Sequence, residues 1–169
     1  NRRFDVEGSG RQAGVIVRLT AWSARCLYPC APASLVDMRV AYRDLLGPSR
    51  IATLEDHLHD LRSAEARVRC VENFLLSRLR PERHDTLVES TVASIMKAGG
   101  KASLKTLADH VHLSVSALER PFIQSVGVGT KMYSRVVRLQ EALCLYRKTG
   151  SWTQTAAAAG FAGWWKRRM

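Results

Sequence analysis

Acidic residues are scarce in this chain: 15 Asp and Glu stand against 26 Lys and Arg, a formal charge of +11. That shortage argues against cationic partners and favours polyanions, nucleic acid before an anionic membrane surface. Cysteine is sparse too. Cys26, Cys30, Cys70 and Cys144 are too few and too unevenly spaced for a disulfide scaffold, and they read as reduced thiols. Cys26 and Cys30 have the spacing of half a zinc site, but the second pair is missing. No apolar run approaches the roughly 20 residues needed to span a bilayer, and no charged start followed by an apolar stretch marks a secretory signal. The expected location is the cytoplasm, with no membrane partner.

Catalytic patterns are also missing. His57 and His59 are two apart and face different ways on a helix. No Ser/His/Asp order or carboxylate pair stands out, and Gly127-Val128-Gly129-Thr130-Lys131 lacks the strand and spacing of a P-loop. The chain reads as a non-enzyme without metal or cofactor.

What remains is a mainly α chain of 169 residues, long enough for one or two small domains. Gly14 to Leu19 is a β-branched run that predicts a short strand over about 14–19. A lone strand needs a partner, so the rest of its sheet is expected upstream of Asn1. Thr20 to Ser34, with Pro29 and Pro32, reads as an irregular connection. Thr53 is placed to cap one long helix over about 54–79, striped by Leu54, Leu58, Leu61, Val68, Val71, Leu75 and Leu79. That stripe packs either into a core or against a partner helix.

Residues 81–84 read as an interdomain linker, dividing the chain into 1–80 and 85–169. The charge is uneven along the chain: 13 Arg against 9 acids in residues 1–80, and 13 Lys and Arg against 6 acids in residues 81–169. Asp85 is the expected cap of a helix whose apolar stripe is Leu87, Val88, Val92, Ile95 and Met96, closed by Gly99-Gly100. Then Leu104, Leu107, Ala108 and Val111 predict a short amphipathic helix, His112 to Ser114 a tight break, and Leu118 and Phe122 the inward pair of a second helix. Those features together are the pattern of a helix-turn-helix. A glycine-marked turn over 124–130 leads to a longer helix striped by Met132, Val136, Leu139, Leu143 and Tyr146. Gly150 ends that helix, and Trp152 onward begins another.

Three blocks, LADHVHLSVSALERPF, VGVGTKMYSRVVRLQEAL and AAAAGF, stand in an order and spacing that resembles the AraC/XylS family of bacterial transcription regulators. The resemblance covers about 85–161 and implies a homeodomain-type helix-turn-helix bundle that reads double-stranded DNA in a sequence-specific way. It further implies that residues 1–80 are the end of a sensory or dimerisation domain, a possible homodimer contact, with any small-molecule effector held upstream. Carried over by position, Val115 to Phe122 is the recognition helix, and Ser116, Glu119 and Arg120 match base-facing slots. Arg120 suits guanine O6 and N7. Glu119 either accepts from cytosine N4 or closes a capping box with Ser116. Lys105, Lys131 and Arg135 are the phosphate candidates.

Three departures from the family pattern bear on activity. Pro121 stands inside the recognition helix, where proline costs about 3 kcal/mol or a kink. Thr130 replaces a common proline. Only Ala162 to Met169 follow Phe161, so the second helix-turn-helix is expected to be incomplete and the chain truncated at both ends. A helical dimerisation fragment without independent DNA binding is the alternative.

Overall fold

The computed structural model describes residues 15–158, and these are mainly α-helical. In order they form α1 (Ser23–Leu27), α2 (Tyr42–Leu46), α3 (Pro48–Asp60), α4 (Ala64–Leu76) and α5 (Thr86–Lys97), with 3-10 turns at Pro32–Leu35 and Pro81–Arg83. There follow α6 (Leu104–His110), α7 (Val115–Val126), α8 (Thr130–Thr149) and α9 (Trp152–Ala158).

Of the strand expected over 14–19, residue 14 lies outside the described residues and residues 15–19 are neither helix nor strand. Among the described residues no strand is present to pair with them, and an unpaired strand leaves its backbone donors unmet.

The single helix expected over 54–79 is two helices, broken at Leu61, whose backbone is extended. Ser63 causes the restart. Its Oγ accepts the Ala66 N–H at 3.0 Å and caps α4, while Arg67 Nε donates to the Leu61 carbonyl at 2.9 Å and ties off the end of α3. Thr53 is not a cap but lies within α3, where its Oγ1 donates to the Ser49 carbonyl. The helix begins earlier, with Pro48 at its first position, where the missing N–H costs no helical bond.

The expected linker 81–84 forms a tight turn. Its Arg83 Nη1 donates to the Tyr28 carbonyl at 2.9 Å, and the His84 ring lies 4.8 Å from that of Trp22.

Asp85 caps α5 by accepting the N–H groups of Leu87 and Val88 at 3.1 and 3.2 Å. That helix contributes Val88, Val92 and Ile95 to a core completed by Leu107 and Ala108 of α6, Leu118 and Phe122 of α7, and Val137 of α8. Gly100 lets α5 and α8 come close. Its φ of +71° is left-handed, and a Cβ there would run into the Ser134 carbonyl, while its own carbonyl accepts from Arg138 Nη2 at 2.9 Å.

The chain before residue 80 is not apart from this core. Ala21 and Trp22 pack against it, and Arg25 Nη1 donates to Ser125 Oγ of α7 at 3.2 Å. Gly127, just past α7, has a φ of +91°, and a Cβ on it would stand 3.0 Å from the Pro32 carbonyl. At the other end Gly150 closes α8, and Trp152 stacks on Tyr146 with 3.9 Å between ring centroids. The part of the expected second helix-turn-helix that falls on 159–169 lies outside the described residues.

Candidate nucleic-acid interface

Ser103 starts α6 by accepting the Thr106 N–H at 3.0 Å, and Ser114 starts α7 by accepting the Ala117 N–H at 3.2 Å. Four residues join the helices, and His112 among them takes a left-handed φ of 55°. A side chain in that region costs about 1–2 kcal/mol. Leu118 and Phe122 are fully buried beneath α7, and the Tyr133 ring meets Phe122 edge-on at 5.8 Å. Burial pushes the Tyr133 phenol above its ordinary pKa. The inward side of α7 is thereby anchored, and its opposite side stays open.

That open side carries Ser116 and Arg120, both exposed, with exposed Gln124 one turn further on. Gln124 is absent from the family-derived set because the helix was expected to stop near Phe122. It continues to Val126, where Gly127 takes the left-handed cap and its N–H bonds the Ile123 carbonyl at 2.8 Å. The signal was Gly127 itself. Glutamine can bond adenine N6 and N7 together.

Glu119 is turned away from this side. Its Oε1 accepts the Thr130 N–H at 3.2 Å and is also bonded by the Thr130 hydroxyl. The capping box expected between Glu119 and Ser116 is not formed: Glu119 bonds α8, and the cap of α7 is Ser114 rather than Ser116. The interaction has a clear electrostatic cause. The first turn of α8 has no acid of its own, so the Glu119 carboxylate supplies the negative group that the helix N-terminus favours. Thr130 is buried, and both of its donors, the N–H and the hydroxyl, are used, neither of which a proline would supply.

The Glu119–Thr130 contact sets the middle of α7 beside the start of α8. Arg120 and Lys131 are the next residues along from the two partners, and both are exposed. Lys131 and Arg135 border a groove between α8 and the start of α6, floored by Leu104 and Leu107. Lys105, next to Leu104, is exposed on α6.

Pro121 does not break α7, which runs unbroken from Val115 to Val126. Proline has no N–H for the Ala117 carbonyl, and Ala117 is exposed, so water can take that acceptor.

Elsewhere, burial raises the Cys26 thiol and the Tyr28 phenol, the latter helped by its hydroxyl bond to Tyr42 at 2.9 Å. Among the described residues no cluster of three or more His, Cys, Asp or Glu is placed to hold a metal ion. No described helix is long and apolar enough to cross a membrane. Comparison with known proteins gives no match: no family model, curated protein or solved structure is similar to this chain.

Proposed function

We propose that this chain is a DNA-binding transcription regulator of AraC/XylS type, with α6 bracing and α7 reading the major groove as a helix-turn-helix. The observation that supports it best is the division of α7. One side is locked into the core by Leu118 and Phe122, and the other presents Ser116, Arg120 and Gln124 to solvent along successive turns. Recognition helices need that combination of a fixed base and a free polar face. Arg120 is the guanine reader, Gln124 an adenine reader, and Lys105, Lys131 and Arg135 contact phosphates in either strand.

Binding through α7 is expected to be weak and strongly salt-dependent, near the non-specific range of about 10⁻⁴ to 10⁻⁶ M. Gel-shift titration across salt tests this. Arg120→Ala is expected to relax base preference, and Lys131→Ala to weaken all sequences alike. Salt-insensitive binding, or none at low salt, would overturn the assignment.

A second reading, homodimerisation through the α3–α4 hairpin, is favoured by one observation. Helix α4 has no buried residue, and Val68 and Leu76 are exposed on it, as expected of helices that complete their core in another copy. Light scattering discriminates: a monomer at all concentrations would rule it out.

A further inference from the structure

Helix α8 carries a row of apolar residues on the side away from its own core. It buries Thr130, Ser134, Val137 and Ala142, whereas Met132, Val136, Leu139 and Leu143 are 50%, 38%, 53% and 43% exposed. Their steps of four, three and four are those of a coiled-coil seam, running for about 16 Å along the helix. A seam of that period matches the apolar face of another helix. The DNA backbone offers nothing to such a row, because phosphates bond cations and the row has none.

Charge decides what kind of helix fits. The groove beside the seam is bordered by Lys131 and Arg135, and among the described residues no acid lines it. Arg147, also exposed, stands at the far end of the helix. The nearest acid in sequence, Glu141, lines a different pocket with Lys97, Lys101 and Lys148. A second copy would bring the same cationic border without an acid to meet it. Residues 159–169 carry Lys166, Arg167 and Arg168 and no acid, so they share the sign of the border.

We propose that the α8 seam docks an acidic amphipathic helix of a partner protein, whose apolar side packs on Met132, Val136, Leu139 and Leu143. Its flanking carboxylates pair with Lys131 and Arg135. Such charge pairing fixes orientation and speeds encounter, while the apolar row holds the complex.

The probe is a capped, fluorescein-labelled peptide of roughly 18 residues, long enough to be helical, with leucines at seam spacing and glutamates beside them. Its twin has lysine in place of each glutamate. Anisotropy titrations use the full chain without DNA, so the outcome is independent of the α7 assignment. The acidic peptide is expected to bind at least about tenfold tighter than its twin. Leu139→Ser with Leu143→Ser should weaken that binding by at least about tenfold while leaving the circular dichroism spectrum and thermal midpoint unchanged, since both side chains are exposed. Lys131→Glu with Arg135→Glu should reverse the preference between the peptides. Equal binding of both peptides, binding that survives the serine variant, or no binding of the acidic peptide overturns the proposal. A concentration-dependent dimer abolished by the serine substitutions would assign the seam to a second copy, and overturns it equally.

Discussion

Glu119 lies three residues after Ser116 on α7, yet the two side chains serve different ends. Ser116 faces solvent, and Glu119 holds Thr130 at the start of α8. A half-buried carboxylate with two donors is a stabilising contact, and deleting it leaves the buried Thr130 hydroxyl and N–H without that partner. Glu119→Ala is therefore expected to cost about 1–3 kcal/mol in urea unfolding. The base preference of any DNA complex should stay as it was. A change in preference with stability intact would return Glu119 to the reading face. Nothing in the spacing of Glu119 distinguished these roles, because its partner is eleven residues away and becomes a neighbour only when α7 and α8 turn back on each other. Asp85 and Gly100, by contrast, were legible, since caps and glycine turns act on backbone groups a few residues distant.

At the level of the helix, α7 and α8 depart from expectation in opposite ways. Helix α7 keeps its course through Pro121, because the carbonyl deprived of a partner belongs to exposed Ala117. The lost bond and ring crowding still weigh on stability. Pro121→Ala is expected to raise the free energy of unfolding by about 1–3 kcal/mol, the interior penalty less what proline saves in the unfolded chain. Urea unfolding measures it, and a destabilised variant would show that the ring is packed rather than tolerated. Helix α8 has a regular apolar period through Met132, Val136, Leu139 and Leu143, but the side so marked is exposed. Periodicity identifies a face and not what covers it. The core instead chose small residues, Ser134 and Ala142 among them, which allow close approach by the Gly100 turn and by neighbouring helices. The split between α3 and α4 was missed because Ser63 restarts a helix without any glycine or proline to announce it.

Across the whole molecule, the segment before residue 80 and the helices after it share contacts. Trp22 packs on the α5–α8 core, Arg25 reaches Ser125, and the Pro32 turn sits against Gly127 at the end of α7. Trp22→Ala is expected to destabilise the fold by about 2 kcal/mol, less than a fully buried aromatic would cost. Hydrogen exchange at the Leu118 and Phe122 amides should quicken with it. Unchanged exchange there would mean that the N-terminal segment folds on its own. Through these contacts, a shift in the N-terminal helices would be felt at the C-terminal end of α7, away from Ser116.

The sequence by itself determined the helical character, the placement of α5, α6 and the start of α7, and the inward pair Leu118 and Phe122. These follow from short-range period and capping, which operate within one or two turns. It also determined the cationic excess, a property of composition alone. Only the tertiary structure decided that Glu119 bonds α8, that Gln124 extends the free side of α7, that residues 15–19 form no strand, and that the apolar stripe of α8 faces outward. Each of those depends on which distant segments meet, and on the close approach of backbones that Gly100 and Gly127 permit. Local residue type does not encode that choice.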